Sequence, residues 1–368
     1  MSKNLKNNSG DYSLASAASA ASAGVPATTP PAAIKAAGKT IYIEKEVRDH
    51  PRSQAIIKHF GNPCVIECDS HREIFNPKRN SFALQKKHPA LIIARKHKGH
   101  VQVSPYGLGG KHNFYFSHML NCIYNCSYCF LQGMYSSAHH VLFVNYEDFF
   151  SAIEEQIAKH LEKAPNEECY FFSGYDCDSL AYEPVSHFVE NALPFFAKHP
   201  QAYLELRTKS VQTTPLLKTK PIGNCIVAFS MAPQDIADEY EEGVPSPAKR
   251  IAAMKQLAAN GWLIGVRLDP LIWHDNWQAN YSGLIDDIAA AVPEKFMHSV
   301  TLGTLRFPRS MVAAVREQHP TAKFLVERMI TSDKALSMQP DSHEEITDFC
   351  YKKLASHYAS HKIIPNEV

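Results

Sequence analysis

The residues best suited to chemistry in this chain are three cysteines within eight positions, Cys122-Ile-Tyr-Asn-Cys126-Ser-Tyr-Cys129. Thiolates are soft metal ligands, and three at this spacing can converge on one centre. A structural zinc ion takes four protein ligands, usually from two separated pairs. No second pair follows here, because Cys169, Cys177 and Cys225 stand singly. A [4Fe–4S] cluster ordinarily takes four cysteines. Held by only three, it leaves one iron open to a substrate or cofactor, which an electron carrier does not need. A zinc knuckle or a chance grouping is the alternative reading of the same residues.

The elements that must position these cysteines follow from periodicity. From about residue 112, strand-like segments alternate with helix-like ones: Phe114–Phe116, Cys169–Phe172, Tyr203–Leu206, Ile226–Phe229, Leu263–Leu268 and Ser299–Thr304. One intervening helix is predicted from Asn145 as cap, with Phe149, Ile153, Ile157 and Leu161 on one face. Another carries Ser246 as cap, Pro247 in its first turn, Ile251, Met254 and Leu257 inward, and Gly261 as stop. Such alternation predicts a parallel sheet covered by helices. Polar residues gather where the strands end: Ser173, Lys209, Ser230, Arg267 with Asp269, and Thr304. Both a parallel barrel and an open doubly wound sheet place ligands there, so periodicity leaves the two open.

The cysteine segment is preceded by a small α/β lead-in, with strands expected at Ile41–Ile43, Cys64–Glu67 and Leu91–Ala94. A basic run through Lys86, Lys87, Arg95, Lys96 and Lys98 reads as a solvated face or a contact for phosphates. Residues before 39 are rich in Ser, Ala and Pro and are predicted to be disordered. The tail has no arginine, which argues against a transit peptide. The 38 basic and 37 acidic residues nearly cancel, which excludes a uniformly cationic protein. Nine cysteines in 368 residues without a signal-peptide pattern point to a reducing cytoplasm, and no apolar run is long enough to span a membrane.

The CxxxCxxC spacing, with an aromatic before its last cysteine, resembles the radical S-adenosylmethionine enzymes. More narrowly, residues 41–310 resemble the spore photoproduct lyase family of DNA-repair enzymes. The resemblance runs through IYIEKEVRDHPRSQAIIKHF, ALIIARKHKGH, SHMLNCIYNCSYCFLQGMY with VNYEDFF, LELRTKS, AFSMAP, EYEEGVPSPAKRIAAMKQLAANGW and GVRLDPLI. It implies an α/β fold: a partial (β/α)6 TIM-like barrel of radical S-adenosylmethionine type over residues 109–310. The lead-in domain (39–108) and disordered tail (1–38) would precede it, with a C-terminal helical extension (311–368) after it. By position, Cys122, Cys126 and Cys129 would hold a [4Fe–4S] cluster. Lys209 and Ser230 would contact S-adenosylmethionine, and Asp269 would accept from its ribose hydroxyls. Tyr128 and Cys177 would serve the hydrogen-atom chemistry. The implied activity is a carbon–carbon lyase that splits 5-thyminyl-5,6-dihydrothymine in damaged DNA through a 5′-deoxyadenosyl radical. A reducing donor such as a flavodoxin or ferredoxin would be its partner.

The chain also departs from that pattern. The family's hydrogen-donating cysteine belongs to the segment written here Ser173-Gly-Tyr-Asp-Cys-Asp-Ser179, where Tyr175 or Asp176 takes its register and Cys177 comes later. Phe130 stands where the family has a second tyrosine. These departures favour a second expectation, the same radical chemistry on another nucleic-acid or small-molecule substrate. A third is a non-catalytic iron–sulfur protein that binds nucleic acid; Lys209 and Ser230 argue against it, since such a module has no use for them.

Overall fold

The computed structural model describes residues 32–61, 63–75, 81–104, 107–108 and 112–365. Most of the expected tail lies outside these residues. Its end, Ala32–Ala37, is a short helix that buries Ile34 against the lead-in strands.

Strands β1 (Thr40–Glu44), β2 (Cys64–Cys68) and β3 (Leu91–Ala94) pair in parallel, with β1 between the other two. The chain next forms β4 (Asn113–Phe116), which belongs to a second sheet, and then returns as β5 (His140–Phe143) to pair with β3. All four residues of β3 and all four of β5 are buried. Such strands show no alternation, as expected of a parallel sheet covered on both faces. The cysteine segment is the excursion between β4 and β5. It therefore bridges the two sheets.

The second sheet continues through β6 (Cys169–Ser173), β7 (Ala202–Thr208), β8 (Cys225–Ser230), β9 (Leu263–Leu271) and β10 (Met297–Thr304), all parallel neighbours in chain order. The short β11 (Ile363–Pro365) adds a further parallel strand beside β10, and Gln102–Val103 pairs antiparallel at the β4 edge. This is a curled half-barrel, as the family resemblance implies; the strand–helix alternation alone left an open sheet equally possible. On β7, Leu204 and Leu206 join the helix-side core. Tyr203, Glu205 and Arg207 face the opposite, concave side, because successive side chains alternate across a strand.

Helices α1 (Tyr146–Lys163), α2 (Phe188–Phe196), α3 (Pro247–Ala259), α4 (Trp277–Ala291), α5 (Arg309–Gln318) and α6 (Pro340–Ala355) include those covering the outer face. In α1, Phe149, Ile153 and Ile157 are buried as their spacing predicts. Asn145 makes no side-chain cap; its amide oxygen accepts from the Lys96 N–H and its amide nitrogen donates to the Lys96 carbonyl. In α3, the Ser246 hydroxyl accepts from the Lys249 N–H, and Met254 and Leu257 are fully buried. Flanking α5 is a small antiparallel sheet: Arg306–Pro308 before it pairs with Ala335–Met338 after it, which pairs with Met329–Thr331. No helix among the described residues is long and apolar enough to cross a membrane.

Candidate active site

The expected site residues hang from the C-terminal ends of the barrel strands. Lys209 follows β7 and Ser230 ends β8. The loop after β6 carries Cys177 and Asp178, and the cysteine segment follows β4. Gly174 starts the β6 loop at φ +97; an added Cβ would lie 2.6 Å from Ser179 Oγ and 2.8 Å from the Arg207 carbonyl. Only glycine allows that close a turn. Beyond it, Tyr175 stays in the concave face, its ring 5.5 Å from the Arg207 guanidinium and stacked on Phe172. Cys177 goes the other way and is buried with Tyr124, Cys126, Tyr128 and Tyr182.

The cysteine segment is fastened at many points. Cys126 forms a short antiparallel pairing with Glu241, and the Cys129 N–H donates to the Cys126 carbonyl at 3.0 Å. Gln132 Nε2 donates to that same carbonyl at 2.6 Å. Asn121 Nδ2 donates to the carbonyls of Ser137 and His139, closing the far end of the excursion. His140 is buried next to it, with Nδ1 2.6 Å from the Tyr182 hydroxyl.

Glu241 joins several expected residues. Its carboxylate accepts from the Tyr128 hydroxyl and from the buried Arg250 guanidinium, and lies 3.8 Å from Lys209 Nζ. Lys209 also sits 5.5 Å from the centre of the Tyr128 ring. Burial works against the Glu241 charge, but Lys209 and Arg250 outweigh it and hold its pKa below the usual carboxylate value. Arg250 additionally donates to the Ser230 carbonyl at 2.7 Å, so one network spans the ends of β7 and β8. Asp178 supports the same region: it accepts from the backbone N–H of Lys209, Leu180 and Ala181 and from the Thr208 hydroxyl. Burial nonetheless raises its pKa.

Asp269 lies on β9, the strand paired with β8, two residues beyond the partner of Ser230. It lies 3.3 Å from Arg306 and within electrostatic reach of Arg207 on the concave face, next to the fully buried Glu205–Arg267 pair. Phe130 is largely exposed. Two members of the basic run turn inward: Lys86 reaches the cysteine segment and Lys96 lies over the rings of Phe143 and Phe149, while the exposed Arg95 pairs with Asp148. Lys87 and Lys98 remain on the surface.

Burial pushes all three candidate ligand thiols up, Cys122 to about 12. Each would become a thiolate there only against a bound positive charge. The sulfurs influence one another electrostatically, yet among the described residues no three His, Cys, Asp or Glu side chains close on a single ion. Three soft thiol donors from one short segment suit a polynuclear cluster, and among the described residues no fourth His, Cys, Asp or Glu gathers with them. The donor set therefore fits a [4Fe–4S] group with an open corner.

Sequence reasoning missed Glu241, Arg250, Asp178, Lys86 and His140. Glu241 and Arg250 lie in EYEEGVPSPAKR, a segment whose similarity was legible while its residues' roles were not. For His140 only the fold, through its contact with Tyr182, reveals a position beside the cysteines.

A family model of spore photoproduct lyase matches residues 37–336. The spore photoproduct lyase of Bacillus subtilis (strain 168) is 24% identical over 291 residues, covering 77% of this chain and 82% of that protein. Its counterpart from Geobacillus sp. (strain Y412MC61) is 23% identical over 293 residues, covering 77% and 83%. A solved double mutant of spore photoproduct lyase with bound AdoMet and dinucleoside spore photoproduct superimposes with a TM-score of 0.76 at 18% identity, over 89% of this chain and 97% of that one. These structures share the fold.

Proposed function

Because the chain belongs to the spore photoproduct lyase family, we propose that it is a radical S-adenosylmethionine lyase that splits the 5-thyminyl-5,6-dihydrothymine lesion in DNA. The observation that carries this reading is the meeting of Cys122, Cys126 and Cys129 with the Lys209 ammonium and the Cys177 thiol at the ends of β4, β6 and β7. When bound, the cluster and S-adenosylmethionine supply the radical that starts hydrogen-atom abstraction from the lesion. The residues of the chain do the rest.

Cys122, Cys126 and Cys129 hold the cluster. Lys209 presents a cation suited to the carboxylate of S-adenosylmethionine, oriented by Glu241 on one side and the Tyr128 ring on the other. The Ser230 hydroxyl, which has no protein partner among the described residues, is available to its polar groups. Asp269 is the acceptor for ribose hydroxyls. Cys177 returns the hydrogen atom: its burial, with Asp176 and Asp178 nearby, favours S–H over thiolate. Tyr128 keeps its proton and donates a hydrogen bond to Glu241. The damaged bases must leave the helical stack to reach this depth. Arg207, Arg306 and the ring of Tyr175 on the concave face suit a phosphate and a flipped base.

A second reading keeps the radical chemistry and changes the substrate. It is favoured by Phe130 and by Tyr175, which fills part of the concave face. Anaerobically reconstituted protein with dithionite or a flavodoxin-type donor and S-adenosylmethionine is expected to release 5′-deoxyadenosine, and Cys126→Ala to abolish it. Added dinucleotide lesion is expected to yield thymine. Deoxyadenosine without thymine selects the second reading; neither product from iron-loaded protein overturns both.

A further inference from the structure

Lys86 comes from the lead-in part of the chain, on the short helix Phe82–Lys87, far in sequence from the cysteines. Its ammonium nevertheless donates to the carbonyls of Cys122 at 2.9 Å and Tyr124 at 2.8 Å. The preceding residue clamps the other end of the excursion, with Gln85 Oε1 accepting from the Ala138 N–H at 2.9 Å. No carboxylate among the described residues lies within ion-pair distance of Lys86. It is half-buried, so its charge is neither neutralised by an acid nor fully screened by water. The field of Lys86 reaches both Cys122 and Cys129, whereas that of Lys209 reaches Cys126 and Cys129.

We propose that Lys86 is the counter-cation and positioning residue of the cysteine segment, fixing the Cys122 end of the loop and raising the reduction potential of the cluster bound there. This rests on the cluster reading above. Reduction adds an electron to a centre that already carries three thiolates, so a nearby unpaired ammonium stabilises the reduced form more than the oxidised one. Hydrogen bonding and charge just outside the ligands are the means by which a protein tunes such a centre. Lys86 acts through the backbone carbonyls and the field, touching neither substrate nor sulfur.

Three variants separate its two roles. Lys86→Gln keeps a donor for the carbonyls without charge, Lys86→Met keeps neither, and Lys86→Arg keeps both. Each is reconstituted anaerobically beside the full-length wild type, assayed for iron and sulfide per chain, and titrated potentiometrically with the reduced cluster followed by electron paramagnetic resonance. Lys86→Gln is expected to retain iron but reduce at a lower potential, Lys86→Met to lose iron as well, and Lys86→Arg to match the wild type in both. Wild-type iron content and midpoint in both Lys86→Gln and Lys86→Met would overturn the inference while leaving the cluster reading intact. A wild type that takes up no iron would instead overturn the cluster reading.

Discussion

Glu241→Gln is the sharpest probe of how the site is held together. The substitution preserves shape and leaves an amide oxygen for the Tyr128 hydroxyl, but removes the one carboxylate shared by Arg250 and Lys209. Arg250 is fully buried, and Lys209 is mostly so, with 16% of its side chain exposed. Removing one partner of a buried ion pair typically costs about 3–5 kcal/mol, because the other charge stays desolvated. Arg250 keeps its bond to the Ser230 carbonyl, which places the expected loss near the lower end, about 3 kcal/mol. Replacing the other side as well tests the cause. Glu241→Gln with Arg250→Met removes the stranded guanidinium, so the double variant should be more stable than the sum of the single losses by about 2 kcal/mol. Urea unfolding of the cluster-free chain, followed by circular dichroism, measures all four corners of this cycle. A single-variant loss below about 1 kcal/mol, or strict additivity in the double variant, would refute the argument that Glu241 is the buried hub.

Three further outcomes are expected. Cys177→Ala should leave 5′-deoxyadenosine formation intact while raising abortive products relative to thymine; an unchanged product distribution would assign the thiol to packing. Gly174→Ala should destabilise the chain by about 2–4 kcal/mol, since positive-φ strain and a Cβ forced against Ser179 and the Arg207 carbonyl add; a neutral effect on unfolding would refute the close approach. Glu183 is fully buried, and burial pushes its pKa up to about 8 from an ordinary 4.5. The unfolded chain releases that proton first, so the contribution of Glu183 to stability is fully present below about pH 4.5 and is lost as the pH rises towards 8. Glu183→Gln should flatten this part of the stability–pH curve, and an identical slope in the variant would show that another group is responsible.

Much of the barrel was legible because its information is local. Alternation along Tyr203-Leu204-Glu205-Leu206-Arg207 assigns one face to the helices and one to the interior, and the Ser246-Pro247 start with the Gly261 stop frames α3 almost to the residue. The lead-in was less so. β5 joins the first sheet, although 49 positions separate Leu91 from its partner His140, and nothing within either segment records that pairing. Asn145 shows the same limit at a single residue. Its type fits a cap, yet the backbone of Lys96 lies within its reach and takes the side chain instead.

The basic run shows how residues that are neighbours in sequence part company in space. Like charges close together in sequence suggest one exposed face, and phosphate is the natural partner of such a face. But residues 86–98 pass from a helix through β3 into a loop, so neighbouring cations point to different surroundings. Lys86 meets carbonyls of the cysteine segment, Arg95 meets Asp148, and Lys96 meets aromatic rings. Charge is shared by the run; environment is not. The same reasoning explains why Glu241 escaped notice: a carboxylate in a polar loop has no signature of its own until Tyr128, Lys209 and Arg250 arrive from three other segments. A site residue is legible in sequence when its role follows from its neighbours along the chain, as with Cys122, Cys126 and Cys129. Where the role is conferred by groups that only the fold brings near, the residue type narrows the chemistry and the fold must supply the rest.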